Sequence, residues 1–223
     1  MEDRVSTLHQ EPKCPGRPEP IPVVCIGMSS GGLVPLKTIF RHLSSRTGMA
    51  FVVIHHIRRF PTMLPEILST CTDMPLELAV SGQMIRRNHI YVLPSGKDIT
   101  LADGFFSLRP NTKNVGFSNV LTLFLQSLAT SQHPGVAIIL SGVDADGAAS
   151  LKAFRQRGGI TIAQEPKTAG QAEMPEAAIL TGVVDHVLPP EAIAGQLERI
   201  ARGFNEPPGG NNNGDSIQGA ELS

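Results

Sequence analysis

The most informative segment lies near the start of the chain and reads Val23-Val24-Cys25-Ile26-Gly27-Met28-Ser29-Ser30-Gly31-Gly32. A short apolar run stops at a glycine, and a serine, two further glycines and a helix-like segment follow. A strand, a sharp turn and a helix in this order place Ser29 at the carboxyl edge of a sheet, beside the positive end of a helix. The spacing Gly27-x-Ser29-x-Gly31 is that of a nucleophile elbow. On this stretch alone, a second interpretation stays open, in which Ser29 or Ser30 only caps the helix.

Composition and charge limit the classes of protein to which this chain can belong. The 223 residues are 41% hydrophobic, which is enough to bury one sizeable core. The net charge of -1, the absence of Trp and an aromatic content of 4% disfavour binding to nucleic acid. No apolar run has the length of a membrane span, no signal peptide is recognisable, and Cys14, Cys25 and Cys71 lack the spacing of a metal site. We therefore expect a cytoplasmic protein that needs no metal or other cofactor and does not insert into a membrane.

The chain divides into one domain and two tails. Residues 1–21 and 205–223 are polar and rich in proline, glycine or asparagine, so we expect a disordered leader and a disordered tail. In residues 22–204, apolar runs alternate with helix-like segments. The predicted strands are 23–26, 50–54, 76–80, 90–93, 136–140, 160–163 and 183–187, and the predicted helices are 33–42, 62–70, 118–131, 146–157, 175–181 and 191–204. Residues 99–108, interrupted at Asp103-Gly104, predict a β-hairpin.

This alternation predicts the fold class. Strands that are short, continuous apolar runs and that alternate with helices are typical of an α/β fold. We expect a doubly wound, mostly parallel sheet with helices on both faces and a small β-hairpin. In such a sheet the active crevice lies beyond the carboxyl ends of the strands.

Polar residues of catalytic type follow two further predicted strands. The second strand ends at His55-His56, and neighbouring residues of a strand point to opposite faces, so only one of these histidines can readily face Ser29. The strand at 136–140 is followed by Ser141-Gly142-Val143-Asp144-Ala145-Asp146-Gly147. Taken singly, the histidines could merely close a strand, and Asp146 could merely cap the next helix.

Taken together, the three strand ends predict a hydrolase. A serine attacks, an imidazole takes its proton, and a carboxylate fixes the imidazole tautomer and stabilises the imidazolium. The order along the chain is Ser, His, Asp, whereas α/β-hydrolases run Ser, Asp, His and place the elbow in mid-chain. The lipase-type fold is therefore disfavoured, although the elbow pattern fits.

The quoted segments resemble the catalytic domain of the CheB-type chemotaxis protein-glutamate methylesterases. The resemblance rests on residues 23–32, 52–56 and 139–148, and it extends to Ile90-Tyr91-Val92-Leu93-Pro94, to 159–164 and to Met174-Pro175-Glu176-Ala177-Ala178-Ile179. It covers about Pro22 to Phe204. It implies a doubly wound α/β domain that hydrolyses glutamate methyl esters on the cytoplasmic helices of chemoreceptors and releases methanol. Family members also deamidate receptor glutamines.

Matched position by position, the resemblance implies the roles of individual residues. Ser29 is the nucleophile, His56 the general base and Asp146 the orienting acid. Val143 supplies a backbone N–H to the oxyanion, and Ser30 retains a hydroxyl beside the nucleophile. His55 and Asp144 fall where the family varies, although Asp144 lies close enough in sequence to compete with Asp146. Met174 is expected on the substrate-binding rim, with a packing role as an equal alternative.

Two departures from the family concern regulation and receptor recognition. The best-known members carry an N-terminal receiver domain, whereas only about twenty residues precede the first strand here, so control is expected from a separate regulatory protein or from expression. Family members often open the mid-domain helix with Arg-Pro-Ser-x-Asp. The matching residues are Gly116-Phe117-Ser118-Asn119-Val120, which lack the arginine and the aspartate.

Two other functions compete with the esterase. A non-catalytic partner-binding module on the same fold has no physical need for Ser29, His56 and Asp146 together. A nucleotide-binding domain could hold phosphate at residues 27–32, but the G-x-G-x-x-G spacing and a P-loop lysine are missing.

Overall fold

A computed structural model of the protein describes residues 19–55, 62–111 and 119–205. Most of the expected leader and tail, at 1–18 and 206–223, lies outside the described residues. The described strands are β1 (Val23–Met28), β2 (Ala50–His55), β3 (Leu76–Leu78), β4 (His89–Val92), β5 (Lys97–Ala102), β6 (Phe105–Pro110), β7 (Gly135–Ile139), β8 (Ile160–Gln164) and β9 (His186–Leu188). The described helices are α1 (Leu33–His42), α2 (Leu64–Leu68), α3 (Val120–Thr130), α4 (Ala148–Gln156), α5 (Glu173–Leu180) and α6 (Pro190–Asn205), with a single 3₁₀ turn at Pro166–Thr168.

The strand order locates the active edge of the sheet. Seven strands form a sheet in the order β3-β4-β2-β1-β7-β8-β9, and every described neighbouring pair in it is parallel. From β1 the chain crosses to β2 on one side, whereas from β7 it crosses to β8 on the other. The winding direction therefore reverses between the neighbours β1 and β7. A doubly wound sheet binds its ligands at such a switch point, beyond the carboxyl ends of the strands.

Helices cover both faces of the sheet. All six residues of β1 and all six of β2 are buried, as expected for strands that are covered on both sides. Alternate strand residues belong to two separate cores, because successive side chains point to opposite faces. One core packs against α3, α4, α5 and the β5–β6 hairpin, and the other packs against α1, α2 and α6. The predicted fold class is confirmed.

The turn between β1 and α1 depends on its two glycines. Gly31 has a φ of +78°, a conformation that residues with a side chain rarely adopt. A Cβ atom on Gly31 would lie 2.6 Å from the Ser141 hydroxyl oxygen, and one on Gly32 would lie 2.6 Å from the Met28 Cβ. The chain therefore turns within a few residues and brings α1 directly behind Ser29.

Element ends differ from the sequence prediction where side chains compete with the backbone. Helix α1 has the predicted bounds, but α2 is shorter than 62–70. It ends early because the hydroxyls of Ser69 and Thr70 donate to the carbonyls of Glu66 and Ile67. Strand β9 lies later than the predicted 183–187, since both the N–H and the hydroxyl of Thr161 donate to the Asp185 carboxylate and hold the chain in a turn there.

Candidate active site

Ser29 follows β1 directly and lies at the switch point. Its backbone N–H donates to the carbonyl of Ser141 at 2.9 Å, and its own carbonyl accepts from the Gly32 N–H at 3.1 Å. Ser29 is half-buried and Ser30 is exposed. The N-cap of α1 is Gly32, and no side chain makes a cap hydrogen bond there. The interpretation in which Ser29 or Ser30 only caps the helix is therefore wrong.

The histidine pair follows the neighbouring strand. Strands β1 and β2 are paired in register, with Met28 opposite His55. Ser29 and His56 are the next residues in sequence after this pair. His55 ends β2 and is 5% exposed. His56, the expected general base, lies outside the described residues.

Asp146 lies in the loop after β7 and is held at the amino end of α3. One carboxylate oxygen accepts a hydrogen bond from the Leu121 N–H at 2.9 Å. The other accepts from the Thr122 N–H at 3.0 Å and from the Thr122 hydroxyl at 2.8 Å. The side chain is buried, with 6% exposure. The N-cap of α4 is Gly147 and has no side-chain cap, so Asp146 does not cap the helix that follows it in sequence.

Asp144 holds the backbone of Asp146, whereas the contacts with α3 are made by the Asp146 carboxylate. One carboxylate oxygen of Asp144 accepts the backbone N–H of Asp146 at 2.9 Å, which is the hydrogen bond of an Asx turn. Asp144 is only partly buried. The side chain that reaches α3 is that of Asp146.

Leu121 joins the Asp146 loop to the end of β1. A Cβ atom on Gly147 would lie 2.6 Å from the Leu121 side chain, and one on Gly27 would overlap the same side chain. Both glycines therefore leave room for Leu121, whose N–H holds Asp146. The charge of Asp146 also affects β1. Burial is the main reason why the pKa of the Cys25 thiol lies well above its usual value, and the Asp146 carboxylate raises this pKa further. Cys25 is fully buried and is therefore an unsuitable nucleophile.

Gly142 is the contact between the β7 loop and the nucleophile. A Cβ atom at this position would lie 2.9 Å from the Ser29 Cβ and would overlap the sulfur of Met174. Met174 is 1% exposed, and its N–H donates to the Gly142 carbonyl at 3.1 Å. It packs beneath Gly142, as the packing alternative expects. Val143, the next residue, is 51% exposed.

The structure thus places Ser29, Ser30, Val143 and Met174 around one short stretch of the sheet edge, with Asp146 anchored close by. Sequence reasoning missed Thr122, which donates two of the three hydrogen bonds described above to the Asp146 carboxylate. The two residues are 24 positions apart, so no local pattern relates them. Sequence reasoning also gave no role to Ser141, although this residue lies within residues 139–148, which carry the family resemblance.

No group of three His, Cys, Asp or Glu side chains that could hold a metal ion is found among the described residues. Within the same residues, every helix is too short or too polar to cross a membrane.

The chain is similar to known proteins in both sequence and fold. The family described as CheB methylesterase matches residues 24–197. The chain belongs to the CheB methylesterase family. The crystal structure of the Thermotoga maritima CheB methylesterase catalytic domain aligns with 81% of this chain and 98% of that chain, with a TM-score of 0.72 and 24% sequence identity. At this identity the match establishes the fold, and it confirms the predicted doubly wound architecture.

The curated relatives of this CheB-family chain include longer proteins and proteins of similar length. It is 30% identical over 181 residues to a protein-glutamate methylesterase/protein-glutamine glutaminase of Hahella chejuensis, and 33% identical over 182 residues to one of Syntrophus aciditrophicus. The chain spans about half the length of these relatives, 52% in each case. It is 31% identical over 181 residues to a putative enzyme of the same name from Leptospira interrogans, of which it covers 93%.

Proposed function

We propose that this chain is a serine hydrolase that demethylates glutamate methyl esters on chemoreceptors and releases methanol. Ser29 is the nucleophile, His56 the general base and Asp146 the orienting acid. The main support for the proposal is the position of two side chains at the switch point. Ser29 and Asp146 follow neighbouring strands, and the buried Asp146 carboxylate accepts three hydrogen bonds from the start of α3. Neither side chain caps the helix that follows it in sequence. Membership of the CheB methylesterase family supports the choice of reaction.

The chemistry proceeds through an acyl-enzyme. The Ser29 hydroxyl attacks the ester carbonyl while His56 accepts its proton, and the same proton passes to the departing methoxide. Water, activated by His56, then cleaves the acyl-enzyme and regenerates Ser29. Each carboxylate oxygen has two lone-pair positions, so Asp146 can hold α3 and still accept the N–H of the imidazole. Its three hydrogen bonds to the start of α3 fix the plane in which it does so.

Backbone N–H groups hold the oxyanion in this mechanism. The N–H of Ser29 donates to the Ser141 carbonyl and is not available to the substrate. In contrast, the N–H groups of Ser30 and Val143 have no hydrogen-bond acceptor among the described residues. The first turn of α1 contains no acidic residue, so its positive end also favours a developing negative charge at Ser29. Preorganised donors of this kind stabilise the charge that develops on the carbonyl oxygen.

Deamidation of receptor glutamines uses the same machinery. A glutamine side chain presents a carbonyl of similar shape, and its ammonia leaves after protonation by the imidazolium of His56. The curated relatives carry both activities in their name, protein-glutamate methylesterase/protein-glutamine glutaminase. Both substrates lead to the same acyl-enzyme at Ser29 and to the same glutamate product.

The proposed substrate is the methylated cytoplasmic helical bundle of a chemoreceptor, which places the enzyme in the cytoplasm. A separate protein is the proposed regulator. We propose that the catalytic domain spans residues 22–204, which contain the whole family match at 24–197. A non-catalytic binding module on the same fold is the alternative, and it predicts no dependence on Ser29.

Methanol release from methylated receptor fragments tests the reaction. The parent chain is compared with Ser29→Ala and with Ser30→Ala, which removes the neighbouring hydroxyl but keeps the backbone N–H. We expect release by the parent, none by Ser29→Ala, and a change of no more than about tenfold in Ser30→Ala, because its proposed contribution is mainly through the backbone. Equal release by the parent and Ser29→Ala would remove Ser29 from the chemistry. A folded parent that releases no methanol and deamidates no glutamine would favour the binding module.

A further inference from the structure

A cluster of hydrogen-bonded polar residues, two of them fully buried and two exposed, lies beside the nucleophile turn. We call Ser141, Gln164, Thr168 and Gln171 the Ser141 cluster. Ser141 and Gln164 have 0% exposure. Buried polar groups are costly unless they are hydrogen-bonded, and a fully satisfied network fixes the relative positions of its members. The cluster connects four segments: the turn after β1, the loop after β7, the end of β8 and the residues that precede α5.

Ser141 holds the nucleophile turn at two consecutive residues. Its carbonyl accepts the N–H of Ser29 at 2.9 Å, and its hydroxyl donates to the carbonyl of Ser30 at 2.8 Å. The same hydroxyl oxygen accepts the N–H of Gln171 at 2.9 Å. One side chain therefore ties the nucleophile turn to the segment before α5. The missing side chain of Gly31 makes the approach possible, since a Cβ atom there would lie 2.6 Å from the Ser141 hydroxyl oxygen.

Gln164 in turn fixes Ser141. Its side-chain oxygen accepts the Ser141 N–H at 3.0 Å. Its side-chain nitrogen donates to the carbonyl of Thr168 at 3.0 Å and to the Thr168 hydroxyl at 3.1 Å. All of these contacts run between the ends of neighbouring strands and the 3₁₀ turn. The main chain of Ser141 is thereby held on the β8 side as well as on the β1 side.

Gly142 connects the Ser141 cluster to the peptide unit of the candidate oxyanion donor. The backbone carbonyl of Gln171 accepts the Gly142 N–H at 3.1 Å. The backbone carbonyl of Gly142 accepts the Met174 N–H, also at 3.1 Å. A peptide unit is planar and trans, so its carbonyl and its N–H point in opposite directions. Fixing the Gly142 carbonyl therefore fixes the direction of the Val143 N–H. By the same geometry, the bond from the Ser141 hydroxyl to Ser30 fixes the Gly31 N–H.

We propose that Ser141 is a positioning residue for the hydrolase reaction. Its hydroxyl holds the Ser30 carbonyl and the Gln171 N–H, and through these two contacts it positions Ser29 and the Val143 peptide. The inference rests on the proposed function, because it assigns Ser141 a role in the reaction of Ser29. Ser141 is fully buried, so this role does not require contact with the substrate. Its effect is on the distance and angle between the attacking hydroxyl and the backbone donors, and a misplacement of about 1 Å in such an arrangement costs about a hundredfold in rate.

Ser127 offers a matched control in another part of the fold. Its hydroxyl donates to the Phe124 carbonyl at 2.8 Å and accepts the Leu101 N–H at 3.0 Å, so it has the same bonding pattern as the Ser141 hydroxyl. It joins α3 to the β5–β6 hairpin and has no described contact with the nucleophile turn. Loss of the Ser127 hydroxyl removes a comparable structural link without moving Ser29.

The experiment measures the rate at which a fluorophosphonate labels Ser29. This step forms an Oγ–P bond, breaks the P–F bond to release fluoride, and passes the hydroxyl proton to the general base. The variants are Ser141→Ala, Ser141→Thr, Ser141→Cys and Ser127→Ala, with Ser29→Ala as the unlabelled reference. Labelling rates are compared at a temperature where circular dichroism shows each variant folded. Turnover of a small methyl ester gives kcat and KM in parallel.

We expect labelling of Ser141→Ala to slow by about tenfold to a hundredfold, with kcat falling and KM nearly constant. Ser141→Thr, which keeps the hydroxyl, is expected to recover most of the rate, and Ser127→Ala to label as the parent does. Folded Ser141→Ala that labels at the parent rate would overturn the inference. If Ser141→Ala does not fold, Ser141→Cys decides: its thiol is a weak donor, so slow labelling supports the inference and parent-like labelling overturns it. A parent chain that is not labelled at Ser29 would overturn the proposed function and this inference with it.

Discussion

Thr122 donates two hydrogen bonds to one carboxylate oxygen of Asp146, from its backbone N–H at 3.0 Å and from its hydroxyl at 2.8 Å. The Leu121 N–H donates to the other oxygen at 2.9 Å. The carboxylate thus satisfies two of the backbone donors that the first turn of a helix leaves unpaired. Asp146 belongs to the loop after β7, yet it caps α3. The proposed catalytic acid is therefore also a structural link, and its two roles can be separated by experiment.

Asp146→Asn is expected to reduce activity far more than stability. An amide has one acceptor oxygen, so its NH₂ group must face either an N–H donor of α3 or the imidazole of His56. We expect a loss of about 10⁴ in kcat from the wrong imidazole tautomer. The free energy of unfolding is expected to fall by about 1 kcal/mol, the usual cost of a weakened helix cap. Steady-state kinetics and urea denaturation check the two values, and near-parent kcat with the same loss of stability would leave Asp146 a purely structural role.

Asp144→Asn is expected to keep most of the activity. The asparagine side-chain oxygen can accept the Asp146 N–H as the aspartate does, so the turn that presents Asp146 is retained. Asp144→Ala removes that acceptor and is expected to reduce kcat by about tenfold through displacement of Asp146. Kinetics of the two variants beside Asp146→Asn distinguish the carboxylates. A crippling effect of Asp144→Asn would transfer the orienting role to Asp144.

The fold was predictable because its signal is local. Strand β1 is a run of apolar residues that ends at a turn of glycines and serines, and α1 has its predicted bounds, since the spacing of Leu36, Ile39 and Phe40 is that of a helix face. Burial on both sides of a parallel sheet leaves the same continuous apolar signal in β2 and β7. Such patterns depend only on residues within a few positions of one another.

The links between distant segments were not predictable in this way. The bonds from Thr122 to Asp146 and from Ser141 to Ser30 join residues 24 and 111 positions apart, and neither serine nor threonine has a sequence pattern that reveals such a partner. The position of β9 was missed for the same reason, because Asp185 binds Thr161 across 24 positions. The role of His56 stays a prediction, drawn from its place after β2 and from the family resemblance.

Gly142→Ala is expected to impair both stability and activity. The added Cβ would overlap the Met174 sulfur and would lie 2.9 Å from the Ser29 Cβ. Overpacking of this kind costs about 1–3 kcal/mol, and displacement of Ser29 is expected to lower kcat by about a hundredfold. Thermal unfolding and steady-state kinetics check the two effects.

The double variant Gly142→Ala/Met174→Ala separates the two contacts of that Cβ. Met174→Ala alone is expected to cost about 2–5 kcal/mol, because it leaves a cavity in the core. In the double variant the new methyl group no longer meets the Met174 side chain. The double variant is therefore expected to lose less stability than the sum of the losses measured for Gly142→Ala and Met174→Ala. Activity is expected to stay low, because the contact with Ser29 remains. Additive losses, or full recovery of kcat, would contradict this account of the Gly142 site.

His133 is expected to make stability depend on pH below neutrality. It is 7% exposed, its Nδ1 lies 3.0 Å from the Ile21 nitrogen, and its Nε2 is buried without a hydrogen-bond partner among the described residues. Burial lowers the pKa of the His133 ring below its ordinary value, and the Ile21 carbonyl, 3.1 Å from Nδ1, offsets only part of this shift. Above the unfolded-state pKa of about 6.5 the ring is neutral in both states and the full stability is present.

As the pH falls below that value, the unfolded chain binds the proton more readily than the folded one, so stability is expected to decline until the folded ring is also protonated. We expect the urea midpoint of the parent to fall more steeply between about pH 7 and pH 5 than that of His133→Gln, whose amide can still accept from the Ile21 N–H but does not titrate. The other titrating groups are common to both proteins, so the difference between the two curves isolates His133. Parallel curves for the parent and His133→Gln would show that this ring does not couple protonation to folding.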